Sequence, residues 1–468
     1  MDPYGLSRRR FLQVAGATMM GAAVAGCVSG EQSAPPTVAP EVPAPSATFT
    51  DPTRKLSGDL KILLWSHFVP AHDKWFDPFV QEWGKKVGVN VTVDHINQAE
   101  IPARTAAEIQ AGQGHDLIQY IATFSQFEPS VVDLKDVVQE AEKRHGKMLD
   151  VVRKSSFNPN TNKYYAYAPA WAPDPGDYRK SMWEKVGLPN GPSTWDELLR
   201  GGAEIKKAQG IQMGIGMSQE IDSNMAGRAL LWSFGGSIQD ANENVVINSP
   251  ETVAAVEFMT KLYKESMTPE VFSWNAASNN QGLVAGQMSY ILNSISAWRT
   301  AQGDNPSVAD DISFVKALRG PKTALVAQHV MYNWIVPKFS RNVDAAKEFL
   351  LHYTANLPSA TFNSKLYDFP AFAEAVPDLD GWLAKDPFGA NPPDKLAVLK
   401  DATKWCTNIG HPGPASPAIG EVLYTFIIPN MYAKAARGEL SPQQSVAEAE
   451  KQIKAIFQNW RSRGLVAG

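Results

Sequence analysis

Apolar positions follow two different periods along this chain, and the switches between them mark out its elements. Leu60-Lys61-Ile62-Leu63-Leu64-Trp65 is a short, nearly unbroken apolar run, which predicts a buried strand. His72–Gly88 changes to a period of 3.6. Trp75, Phe76, Phe79, Val80, Trp83 and Val87 share one stripe of a helix, and Gly88 supplies its stop. Val89–Asp94 alternates as a second strand, Pro102–Gly112 reads as a helix, and Asp116–Tyr120 as a short strand. This rhythm predicts parallel pairing with right-handed crossovers. Ligands of such sheets bind beyond the carboxyl ends of the strands, here assigned to Trp65-Ser66-His67 and Asp116–Tyr120.

The pattern resets after Lys163–Ala172, an aromatic stretch that contains Pro169 and is followed by Pro173 and Pro175. Tyr178–Val186 predicts a helix. Thr194 and Glu197 have the spacing of a capping box for a helix that runs to about Gln209. A strand at Met213–Met217, a helix at Met225–Phe234 and a hairpin at Asp240–Ile247 come next. Ser249-Pro250-Glu251 then opens a helix that ends near Met267. Further strands are expected at Met288–Leu292, Ile312–Ala317 and Val330–Val336, and a helix at Asp344–Tyr353. Two proline-interrupted helical stretches, Pro377–Lys404 and Ile419–Gly438, precede an amphipathic final helix, Ser445–Gly464.

The first residues follow neither period. Arg8-Arg9-Arg10 heads a short uncharged run, Val14–Gly26, that ends in Val24-Ala25-Gly26-Cys27. The run falls short of the roughly 20 apolar residues that span a bilayer, so it reads as an export signal outside the fold. The paired arginines before Phe11-Leu12 resemble a twin-arginine signal, and the end resembles a lipoprotein box. These likenesses imply cleavage before Cys27, a lipid on its sulfur and anchoring to the outer face of the cell membrane. Val28–Ser57 is rich in Pro, Ala and Ser and predicts an extended tether. The 468-residue chain is 44% hydrophobic, 20% charged and carries a net charge of -4, which points away from nucleic acid as a partner. With Cys27 lipidated, Cys406 stands alone and no internal disulfide can form.

One ordered series of segments has a family likeness. It runs from the lipoprotein box to Trp65-Ser66-His67, Gly114-His115-Asp116-Leu117-Ile118, Tyr167-Ala168-Pro169 and Tyr178-Arg179-Lys180. It continues through Pro192–Leu198, Gly235-Gly236, Gly282–Met288 with Trp298 after it, and Ile335-Val336-Pro337 before Ala345–Leu350. The series resembles the family 1 extracellular solute-binding proteins, the sugar-binding subunits of ABC importers, of the maltose-binding-protein kind. The resemblance implies an α/β, periplasmic-binding-protein-like fold. One lobe would take 58–167 with 293–353, and the other 168–292 with 354–468. Hinge crossings would join them around a ligand cleft. It also implies a monomer that hands a carbohydrate to permease subunits, with no cofactor, no metal and no catalytic residues.

Sugar recognition needs flat apolar rings for the C–H face and polar groups for the hydroxyls. Trp65, Trp171, Trp274 and Trp298 lie at strand ends or lobe crossings where no helical stripe claims them, and they head the candidates. Trp232, Tyr332, His67 and Asp116 follow, with Asn293, Ser296 and Asp368 added from family position. Each has a structural reading beside it: His67 as a satisfied loop histidine, Asp116 as a turn cap. Asp240, Asn242, Asn244 and Glu251 copy the spacing of a calcium loop, but Val245 stands where that loop needs glycine, so a hairpin is the better reading. Two other functions fit the same aromatic cleft: the same fold around a non-sugar polar solute, and a lipid-anchored exported enzyme acting on glycans.

Overall fold

The structure, a computed structural model, describes residues 43–468. The export head, Cys27 with its expected lipid and the first part of the tether lie outside the described residues. The remaining tether residues do not stay free. Thr48 exchanges two hydrogen bonds with the Asn356 side chain, at 2.6 and 2.9 Å, and Arg54 pairs with Asp344 at 2.6 Å. Leu56 is buried. The tether expected over 28–57 therefore stops short of Ser57, because its end is fastened along helix Val343–Ala355.

Gly58–Trp65 is the centre of the first sheet. Val89–Ile96 and Leu117–Tyr120 flank it in parallel, and Asn333–Ile335 joins antiparallel beyond Leu117–Tyr120. Helix Ala71–Val87 buries Phe76, Phe79, Val80 and Trp83 against this sheet and ends at Gly88, which adopts a left-handed φ of 75°. Gly84 allows the close approach, since a Cβ there would stand 2.6 Å from Val91 Cγ2.

The second sheet runs Ile312–Val315, Gly176–Arg179, Met288–Leu292, Gln212–Gly214, and only the last pair is parallel. Two expectations fail here. Tyr178 lies in a strand, and the helix is only Lys180–Glu184. Ile312–Val315, placed with the first lobe as part of 293–353, pairs with Gly176–Arg179 in the second sheet. Pairing of Tyr178 with Ser313 and Tyr290 accounts for both, and Asp311 fastens the corner, accepting hydrogen bonds from Arg179 Nε and the Ser181 amide, each at 2.7 Å.

A small third sheet joins the two. Ala170–Ala172 lies between Val330–Met331 and Phe369–Pro370, antiparallel to each. The predicted strand Val330–Val336 is thus split at Tyr332: Val330–Met331 belongs to this crossing sheet and Asn333–Ile335 to the first. Elsewhere the caps set the helix limits. Glu220 caps helix Ile221–Phe234, which starts four residues before the expected Met225. Thr194 accepts from the Glu197 amide, but Glu197 turns to the Ser193 amide, so the box is only half made. The Ile419–Gly438 stretch divides at Phe426, which has a φ of 52°. Asp240 spends its carboxylate on Asn242 and Asn244, closing the hairpin.

Candidate functional site

The first sheet delivers Trp65 and His67 from its carboxyl end, and the crossing strands bring Tyr332 and Asp368 to meet them. His67 stacks on Trp65 with ring centroids 4.9 Å apart and on His72 at 4.4 Å. Its Nδ1 faces Val69, 2.9 Å from the amide nitrogen and 3.1 Å from the carbonyl oxygen. Nε2 lies 2.9 Å from the Tyr332 hydroxyl and 3.1 Å from Asp368 Oδ1. Tyr332 donates to the same Asp368 oxygen at 2.5 Å. Burial holds His67 below its ordinary value. Burial alone would raise Asp368, but the histidines and the tyrosine outweigh it and keep the carboxyl below the usual range. The result is an anion in a dry, ring-walled place.

A second polar wall comes from the other side. Asp174, between Pro173 and Pro175 just past the crossing strand, accepts from His329 Nδ1 at 2.9 Å. Burial pulls His329 down, but Asp174, Asp222 and Glu220 together push it above its ordinary value. Asp222 accepts from Asn279 at 2.9 Å. Asn280 then links to Asn293 at 2.8 Å and to Ser296 at 3.1 Å, a chain of amides and hydroxyls along this wall. Trp274 stands at its edge. A Cβ on Gly216 would meet both the Trp274 ring and Glu220, so the two are near neighbours.

Tyr367 lies between the two walls. Its ring meets His67 edge-on at 5.4 Å and His329 at 6.4 Å. Its hydroxyl interacts electrostatically with Asp222, Asp368 and Asp174. Buried polar atoms normally find partners, and exceptions call for an explanation. Trp65 Nε1, Asp174 Oδ2 and Gln328 Oε1 are such exceptions, and the Tyr367 hydroxyl has Ser294 as its one side-chain neighbour.

The expected residues therefore divide. Trp65, His67, Tyr332 and Asp368 form one wall, and Asn293 and Ser296, with Trp274 at the edge, belong to the other. Trp171 lies in the crossing sheet, but its indole N–H is taken by the Pro370 carbonyl at 3.2 Å. Trp298 packs edge-on against Phe314 and beneath the Arg299 guanidinium, 4.3 Å away. Trp232 meets His411 within the helical layer. Asp116 is at the wrong end of its strand. Its oxygens accept from the Lys61 amide at 3.0 Å and Ser340 at 2.7 Å, at the amino edge of the sheet, so it acts as a latch there. The residues that sequence reasoning missed are Tyr367, His72, Asp174, Asp222 and Ser294, whereas Gln328 and His329 lie on a strand already expected to face ligand. Tyr367 adjoins a named candidate, and Asp174 sits in a Pro-Asp-Pro turn; the others leave no local signal.

Comparisons with known proteins agree with this architecture. Residues 75–409 match the family described as bacterial extracellular solute-binding protein. A Brucella abortus protein named as a binding protein is 24% identical over 261 residues, 48% of this chain and 62% of that relative's length. The arabinooligosaccharide-binding protein of Bacillus subtilis is 23% identical over 313 residues, 63% of this chain and 69% of the relative. Among solved structures, maltose-bound T. maritima MalE3 superimposes with a TM-score of 0.71 at 19% identity, covering 85% of this chain and 100% of the other. A sugar transporter of Arthrobacter chlorophenolicus with bound laminaribiose gives 0.69 at 18% identity, covering 85% and 99%. The two-lobed α/β fold and the span of the family match together place this chain in the bacterial extracellular solute-binding protein family.

Proposed function

We propose that this protein is the receptor of an ABC sugar importer: it binds a carbohydrate between its lobes, closes by hinge motion and hands the ligand on chemically unchanged. The observation that carries this reading is that Trp65 Nε1 and Asp174 Oδ2 are buried without partners against the two histidines that flank Tyr367, beside stacked rings. Each such atom left dry costs about 1–3 kcal/mol, and a polyhydroxyl solute would satisfy several at once. The Bacillus subtilis relative is named for an arabinooligosaccharide, and the two structural neighbours hold maltose and laminaribiose. The ligand set under this reading is Trp65, His67, Tyr332, Tyr367 and Asp368 facing Asp174, Asp222, Trp274, Asn293 and Ser296. The lobe boundary on the returning chain falls at Tyr332 rather than Asn293. Export with a lipid on Cys27 rests on the leader sequence, and Cys27→Ala would then release the protein from the membrane fraction.

The test is a thermal-shift and calorimetry panel of mono- and oligosaccharides on the mature chain, followed by analysis of the recovered ligand. A ligand at 100 times its dissociation constant adds about 2.7 kcal/mol of stability. Saturable binding of at least one sugar, recovered intact, is expected. A panel with no binder, or a glycan returned cleaved, overturns the proposal.

A further inference from the structure

We propose that the solute carries a basic amine beside its hydroxyls, with the ammonium seated where Asp174 and Asp222 face Tyr367. This rests on the carbohydrate reading above and narrows it. The argument is one of donor and acceptor supply. Asp174 is fully buried and spends one oxygen on His329, while the other has no partner. Asp177, three residues on, is fully buried with neither oxygen partnered. Asp222 receives a single side-chain hydrogen bond, from Asn279. Gln328 presents an unpartnered buried carbonyl oxygen.

Against these acceptors the protein offers little positive charge. Among the described residues, no lysine or arginine is one of the charged groups acting on Asp174, Asp177 or Asp222. The cationic candidate at hand, His329, is already committed to Asp174. Burial raises Asp177 well above the usual carboxyl range, with Asp174 adding to the effect. Burial also raises Asp222 to about 6, even with His329 pulling the other way. These acids are held in a place that makes their charge costly. An ammonium group brings three donors and a compensating charge. A neutral sugar brings donors without charge. A uronate brings a further anion beside these acids, where His329 is already paired with Asp174, the costly case of an unpaired buried charge.

The test uses the mature chain at pH 7 and a panel of mono- and disaccharides, each in neutral, amino and uronate form, with affinities by calorimetry. The expected result is that an amino form binds at least about tenfold tighter than its neutral counterpart and that uronates do not bind. Asp222→Asn and Asp174→Asn should each bring that ratio towards one. The ratio is read within each variant, so a general loss of folding does not imitate the effect. Equal or tighter binding of the neutral form, or saturable binding of a uronate, overturns the amine proposal and leaves carbohydrate binding standing. If no member of the panel binds, both readings fall.

Discussion

Asp368 is the residue on which the first wall turns. It is fully buried, takes hydrogen bonds from Tyr332 and His67, and has His72 Nε2 3.7 Å from its other oxygen. Asp368→Asn replaces one acceptor oxygen by a donor that faces Tyr332 and the histidines. It is expected to cost about 1–3 kcal/mol of stability in urea denaturation and to weaken ligand binding in calorimetry. His352 gives a pH prediction. Burial lowers it from 6.5 to about 4, with Lys86 adding to the shift. Its ring lies flat on Phe79 at 5.1 Å. A histidine held neutral when folded leaves the unfolded chain to bind the proton first. Stability is therefore full above pH 6.5 and declines as pH falls towards 4. The loss from this group is on the order of 2–3 kcal/mol. His352→Gln should flatten that part of the melting-temperature profile relative to wild type; identical slopes would show that other groups govern it.

At the scale of elements, the segment that delivers Tyr367 and Asp368 is held in an unusual way. Lys365 and Leu366 are consecutive non-glycine residues with φ of 53° and 64°. Such conformations persist only where the surroundings impose them. Arg299 supplies the restraint: its Nε donates to the Lys365 carbonyl at 2.8 Å, and its two terminal nitrogens grip Asp386 at 2.7 and 3.1 Å. Trp298, a ligand candidate by sequence, lies beneath that guanidinium. Arg299→Met should cost about 3–5 kcal/mol, because it strands the buried Asp386 carboxylate. Asp386→Leu added to it should recover much of that loss. A single-variant cost under 1 kcal/mol would mean the clamp is idle. Helices with a full apolar stripe and the parallel strands of the first sheet were legible, since a stripe such as Phe76, Phe79, Val80 and Trp83 requires no knowledge of its partner; Lys135–His145 and Asp150–Ser156 were not foreseen as helices. Tyr178 was misread because its fate depended on pairing with Ser313 and Tyr290, far away in the chain.

Across the whole molecule, loops of the first sheet touch the late helices directly. The Tyr424 hydroxyl donates to the Thr123 carbonyl, and Ser125 Oγ donates to the Ser416 carbonyl at 3.0 Å. Under the hinge-closing reading these bonds favour the closed state without touching solute. Tyr424→Phe is then expected to weaken ligand affinity by about three- to tenfold, the worth of one hydrogen bond. Small-angle scattering should show a ligand-dependent fall in radius of gyration for the wild type and a larger unliganded radius for the variant. An unchanged affinity would place the contact outside the closing motion.

Two physical rules explain what could be read early and what could not. The local period of apolar residues determines which face of a segment must be dry, so the parallel first sheet, its helices and the rings at the end of its first strand followed from the chain alone. The family series extended that to two lobes. Which distant side chains meet is settled by packing. His67 meets Asp368 across 301 residues, and Asp174 meets His329 across 155. No spacing rule encodes such encounters. Only the folded molecule put Tyr367 between two polar walls, moved Ile312–Val315 to the second sheet and left Asp116 at the far edge, because strand direction and crossing order fix where each end of a strand emerges.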